Sequence, residues 1–255
     1  MLNSTRHKQH HETAIESIAA SPTLFSICYT PRPGSALAQF SRSWFGRASD
    51  GTALQALSAS GIGNDAPSGI SRTPGRYFGL HVPFFASSPL QTDMRLEEIR
   101  THLESFAAHR KPIETGPLKL VRARRSLVLQ PTLPRPELNW LALQCFNAFD
   151  SYAATAAIVD DEHRHLSPHQ RLLLKSFGQP NVMSEYRFFL KLTGSLDDTQ
   201  LERVAGALRP LIEPFCTEGI CVDGLSLIGS AFEKVCDEAS ARSPLRLLGR
   251  FALAG

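Results

Sequence analysis

The stretch Glu185-Tyr-Arg-Phe-Phe-Leu-Lys-Leu-Thr-Gly194 decides how the rest of the chain is read. Successive side chains of a strand point to opposite faces. Tyr186, Phe188, Leu190 and Leu192 then form one apolar face that meets helices, while Arg187, Phe189, Lys191 and Thr193 form the other. Two cations flanking a Phe suit the floor of a cleft that receives an anion; the plainer reading is a solvated sheet face with one exposed aromatic. The earlier stretch Arg76-Tyr-Phe-Gly-Leu-His-Val-Pro-Phe84 has the same phase. Its apolar face is Phe78, Leu80, Val82 and Phe84, and its other face is Tyr77, Gly79, His81 and Pro83. His81 therefore holds the place in its strand that Phe189 holds in the later one. By pattern alone it reads as a structural histidine rather than a catalytic one.

Around each of these stretches the same element order recurs. Residues 76–84 suit a strand, 93–109 a helix with Leu96, Ile99, Leu103 and Phe106 along one stripe, and 117–123 and 126–130 two further strands. Downstream, 184–194 suits a strand. Asp197 with Gln200 forms a capping box that opens a helix carrying Leu201, Val204 and Leu208, and 219–229 and 245–253 suit two more strands. The expectation is an α+β fold of two β-α-β-β lobes, about 76–130 and 184–253, around a central cleft. The strands bearing His81 and Phe189 are expected side by side across it. A helical insert separates the units. Residues 136–149 carry Leu138, Leu141, Ala142, Cys145 and Phe149 at helical spacing; Ser167-Pro-His-Gln170 opens a second helix that Gly178 ends. Upstream, 24–29 are β-prone, and Ser35 caps a helix with Leu37, Phe40 and Trp44 before Gly46. Residues 1–22 and about 47–73 lack apolar periodicity and read as a disordered tail and a flexible loop, leaving 23–255 as a single domain.

A chain of 255 residues, 42% apolar and 20% charged, buries a core large enough to need no disulfide or metal staple. Its net charge of +3 permits an anionic ligand, but it lacks the strong clustered excess of a nucleic-acid binder. No window reaches the length of a membrane span. The first 22 residues hold no apolar run of signal-peptide type. The expected setting is cytoplasmic, with neither nucleic acid nor membrane as partner. The five cysteines, at 28, 145, 216, 221 and 236, form no Cys-x-x-Cys pair and read as reduced, mostly buried thiols. Cys216 and Cys221 stand close together in a Gly-containing stretch, where a redox pair is the minor alternative to two reduced thiols. His163, His165 and His169 have a metal-like look, but the last two adjoin or enter the helix start, so no metal site is assigned. His7, His10 and His11 lie in the tail. Lys119, Arg122, Arg124 and Arg125 form a basic hairpin read as solvated surface.

Several stretches, in order, resemble one family: Tyr29-Thr-Pro-Arg-Pro-Gly-Ser-Ala-Leu37 with Trp44, Arg76-Tyr77, Leu166-Ser-Pro-His-Gln-Arg171, Asn181-Val-Met-Ser-Glu-Tyr-Arg-Phe188, Leu190 with Leu192-Thr-Gly194, and Leu247-Leu-Gly-Arg-Phe251. They resemble the phosphonate-metabolism proteins of the 2H phosphoesterase superfamily, relatives of the RNA 2′,5′-ligase-like and cyclic phosphodiesterase enzymes. The resemblance implies a bilobal α+β fold in which each lobe contributes a His-x-Thr/Ser strand to the cleft. It also implies phosphoester chemistry by two histidines, one as base and one as acid, with hydroxyls holding phosphate oxygens and with no metal or cofactor. The chain departs from that pattern at the chemistry. His81 is kept, but Pro83 stands at the first hydroxyl position, Phe189 at the second histidine and Lys191 at the second hydroxyl. Arg124-Arg125 takes a turn where Gly-Gly is common.

The leading expectation is a catalytically degenerate protein that binds a phosphate- or phosphonate-bearing small molecule through Arg187, Lys191, Tyr77 and Thr193, with His81 as the retained motif histidine. One alternative is an active phosphoesterase whose rearranged site uses His81, Arg187 and Lys191. The other is an interaction module with no ligand. Whether His81, Arg187 and Lys191 converge in one cleft separates these readings.

Overall fold

The structure, a computed structural model, describes residues 24–45, 79–154, 166–230 and 246–255. The expected tail, the loop at about 47–73, Tyr77, His163, His165 and Cys236 lie outside the described residues. In chain order the elements are β1 (Leu24–Tyr29), α1 (Ala36–Phe45), β2 (Val82–Pro89), α2 (Leu96–Ala108), β3 (Ile113–Glu114), β4 (Leu118–Ala123), β5 (Ser126–Pro131) and α3 (Pro136–Phe149). Then follow α4 (Pro168–Phe177), β6 (Leu190–Lys191), α5 (Asp198–Glu218), β7 (Cys221–Val222), β8 (Gly224–Ser230) and β9 (Arg246–Ala252). The fold is α+β, and the strand pairs are antiparallel.

The helix ends follow their local signals. Ser35 Oγ accepts from Ala38 N at 3.2 Å, at the start of α1. Ser167 and Asp197 each close a capping box with a glutamine three residues on, and α4 stops at Gly178 in the left-handed conformation. α5 runs through Pro210 and Pro214, both of which lie on its exposed side.

The two larger sheets do not divide along the repeat. One has the order β2-β1-β8-β9 and the other β4-β5-β6, while β3 pairs with β7. Each of the two therefore takes strands from both β-α-β-β units. β2 and β6, which adjoin His81 and Phe189, are edge strands of different sheets rather than central neighbours. The edge position suits Pro83, which has no N–H to give and is exposed.

Only Leu190 and Lys191 of the stretch 184–194 join a ladder, opposite Leu129 and Val128. Met183–Glu185 form a 3-10 turn instead. The alternation persists without the ladder: Tyr186, Phe188, Leu190 and Leu192 are buried, while Arg187, Phe189 and Lys191 are exposed. Side-chain packing holds this segment against the first sheet. Phe84 of β2 stacks on Tyr186 at 5.9 Å between ring centroids and meets Phe188 at 6.1 Å, and Tyr29 of β1 meets Phe188 at 6.3 Å. Trp44 Nε1 donates to the Leu192 carbonyl at 2.8 Å. The segment thus packs on one sheet and hydrogen-bonds to the other, and a shared hydrophobic core runs through both.

Candidate functional site

Register sets the face on which the cations stand. Lys119 lies opposite Gln130, and Val121 opposite Val128, which in turn faces Lys191. Lys119, Gln130 and Lys191 therefore share one face of the second sheet, because directly paired residues and their second neighbours point the same way. The other face, with Leu118, Leu127, Leu129 and Leu190, is buried, and α5 packs against β4 and β5.

Two arginines join Lys119. Arg135 immediately precedes α3 and donates through Nε to the Thr115 carbonyl at 2.7 Å. Arg187 follows the 3-10 turn, and its Nη1 donates to the carbonyls of Ser184 at 2.6 Å and Tyr186 at 2.7 Å. That double tether holds the side chain against its own turn. Lys119, Arg135 and Arg187 wall a cavity of about 950 Å³ that, among the described residues, no aspartate or glutamate lines. The rest of the wall is mostly apolar and includes Trp140 and Leu143 of α3, Leu133, Met183 and Phe188. A smaller cavity of about 570 Å³ shares Arg135, Pro136 and Trp140 with it and mixes both signs of charge, with Arg110, Lys111, Glu114 and Glu137 in its wall. Neither Lys119 nor Lys191 has an ion-pair partner among the described residues. A cation-walled cavity without carboxylates offers charge-assisted hydrogen bonds to an anion.

The expected site residues scatter. Arg187 lines the cavity, but His81, Lys191, Phe189 and Thr193 do not. His81 precedes β2; its Nδ1 is 3.1 Å from the Gly79 carbonyl, which can only accept, so Nδ1 carries the proton. Burial lowers its pKa from the ordinary imidazole range. Lys191 is exposed on the shared sheet face, and Phe189 is also exposed. Thr193 is fully buried, and its hydroxyl is already engaged: it accepts from Leu127 N at 2.9 Å and donates to the Gly194 carbonyl at 3.0 Å. It bridges β5 to the end of the segment instead of facing a ligand. His81, Arg187 and Lys191 thus do not line one cavity.

The basic hairpin divides as well. Arg122 pairs with Asp198 at the start of α5, and Arg125 donates to the Leu196 carbonyl at 3.1 Å. These two pin the hairpin to α5, and Lys119 alone of the four reaches the cavity. Arg124 adopts φ 54°, a left-handed turn conformation that glycine holds more easily. His169 Nε2 lies 3.1 Å from Ser184 Oγ. Cys28 and Cys145 are buried and free, and burial pushes the Cys28 thiol up to about 12. Cys216 and Cys221 are free and partly buried.

Sequence reasoning missed Lys119 and Arg135 as cavity residues, and it missed Trp140. Lys119 alternates with Val121 along β4, which places both on one face, but only the β5 and β6 registers show what else stands there. Arg135, between Pro134 and Pro136 just ahead of a helix, is a local signal of a fixed position; its partner Thr115 is twenty residues away in sequence.

Among the described residues no helix is long and apolar enough to cross a membrane. No curated protein matches the chain. Solved structures that it is similar to include TT0787 of Thermus thermophilus, at 10% identity with a TM-score of 0.44, covering 91% of this chain and 98% of that one. A phosphoesterase is similar at 13% identity and a TM-score of 0.43, covering 92% and 100%. E. coli LigT complexed with phosphate is similar at 12% identity and a TM-score of 0.41, with the same coverage. The model of one family, described as protein of unknown function DUF1045, matches residues 80–234, and the chain belongs to that family.

Proposed function

We propose that this protein binds a phosphate- or phosphonate-bearing small molecule in the cavity over Lys119, Arg135 and Arg187, and that it does not turn over phosphodiesters by two-histidine chemistry. The observation that carries the reading is the cavity wall: among the described residues, three cations and no carboxylate around about 950 Å³. The sequence resemblance to the phosphonate-metabolism branch of the 2H superfamily supports a phosphoryl or phosphonyl anion as the ligand and an accessory role in phosphonate metabolism. Phe189 at the second motif position has no proton to give. An acid or base lost at such a position removes about 10²–10⁴-fold of rate.

The test is a calorimetric titration with inorganic phosphate and methylphosphonate. Arg187→Ala should weaken both by about 10- to 100-fold, since a hydrogen bond to a charged group contributes about 1.5–3 kcal/mol. Lys119→Ala should act in the same direction. Binding of neither anion, or binding indifferent to both substitutions, would sink the proposal. Robust hydrolysis of a cyclic phosphodiester, abolished by His81→Ala, would overturn its inactive half.

A further inference from the structure

The cavity is far larger than a phosphate ion, and one side of it is built for something else. α3 buries Leu138, Leu141, Ala142, Cys145 and Phe149, which is the stripe that anchors it to the core. Pro136, Trp140 and Leu143, at spacings of four and three, form a second apolar stripe that lines the cavity. Trp140 is 59% exposed and Leu133, which lines the same cavity, 66%. Together with Leu143 they give the cavity an exposed apolar side. Pockets of this volume usually enclose an organic body as well as its charged group.

We infer, on the proposed anion-binding reading of this cavity, that the anion carries a planar apolar substituent. The phosphoryl or phosphonyl group meets Lys119 and Arg187, and the substituent lies against the indole of Trp140. Charge complementarity selects the anionic end, and the second α3 stripe selects the other. Trp140 is then the specificity-determining residue: it separates aryl-bearing ligands from bare ones without touching the charged group.

The protein carries its own reporter. It has two tryptophans; Trp44 is buried, with its Nε1 bonded to the Leu192 carbonyl, and Trp140 faces the cavity. The full-length protein would be titrated with phenylphosphonate, methylphosphonate, inorganic phosphate and benzyl alcohol, following tryptophan emission and, in parallel, heat. Phenylphosphonate should bind about tenfold or more tighter than methylphosphonate or phosphate and should change the Trp140 emission. Trp140→Ala should abolish that preference, weakening phenylphosphonate at least about tenfold more than it weakens methylphosphonate. Trp140→Phe should keep the preference and lose the emission change. Equal affinity for phenylphosphonate and methylphosphonate, or a preference that survives Trp140→Ala, overturns the inference and leaves the anion site standing. Benzyl alcohol binding as tightly as phenylphosphonate, or no binding by any of the four, overturns the anion reading and the inference with it.

Discussion

Thr193 shows how a residue placed on the ligand face by period can do a different job. It stands two residues after the exposed Lys191 and is nevertheless fully buried: the ladder ends at Lys191, and beyond it the Thr193 hydroxyl bonds to β5. Its hydroxyl satisfies the buried Leu127 N–H, one residue beyond the last β5–β6 pair. Thr193→Val keeps the shape and strands that N–H, so urea unfolding should show a loss of about 1–3 kcal/mol. Affinity for methylphosphonate should not change, and a variant as stable as the parent would refute the bridge. His81 leads to a prediction in pH. Burial holds its pKa below the unfolded value of about 6.5. Above that value the imidazole is neutral in both states. As pH falls through it, the unfolded chain takes up the proton first, so stability declines on the acid side. His102, lowered by burial and by the nearby Arg110 cation, adds in the same direction. His81→Gln should therefore flatten, without abolishing, the fall in urea midpoint between about pH 7 and pH 5. An unchanged slope would show that this imidazole titrates as it does when unfolded.

At the scale of elements, the signals that worked were the local ones. Strand β1, helix α3 and the boxes at Ser167 and Asp197 stand where spacing and capping residues put them. Their determinants lie within four residues in the chain. Asp197→Ala removes the acceptor for Gln200 N, 2.8 Å away, and should lower stability by about 0.5–2 kcal/mol. Ser167→Ala, at the start of the shorter and more peripheral α4, should cost less in global unfolding and show instead as faster amide exchange in that helix. If Asp197→Ala left the urea midpoint unmoved, α5 would owe its start to packing alone. The stretch 184–194 shows the limit of such signals. Alternation there reports burial, which comes from Phe84 and Tyr29 packing on Tyr186 and Phe188, and it does not report a ladder. The site divides in the same way. Arg187 was legible from alternation; Lys119 and Arg135 were not, because what brings them to Arg187 is strand register and a bond across twenty residues.

At the scale of the molecule, the repeat is visible in the chain but its strands are exchanged, and no local pattern encodes which strand pairs with which. The exchange makes the joints between the units matter, and the β3–β7 pair is one of them. Thr115 N donates to the Ile220 carbonyl at 2.9 Å, and Ile220 N donates to Thr115 Oγ at 3.0 Å. Beside them Gly219 ends α5 with φ 81° and ψ −160°, a backbone region essentially closed to other residues. A Cβ there would lie 2.1 Å from the Gly116 carbonyl oxygen, a backbone atom that cannot swing aside. Gly116 in turn lies against the Arg135 guanidinium, whose Nε is held by the Thr115 carbonyl. Gly219→Ala should therefore do two things. It should destabilise the fold by more than the ~1–3 kcal/mol of the backbone conformation alone, because the clash is added. It should also weaken methylphosphonate binding, because Arg135 loses its seat. Gly178→Ala is the control: it is also left-handed, at φ 66°, but a Cβ there meets nothing within 4 Å. It should cost roughly the left-handed penalty of 1–2 kcal/mol and leave binding unchanged. If the two variants unfold at the same urea midpoint, or if Gly219→Ala binds methylphosphonate as tightly as the parent, the joint does not position the cavity wall.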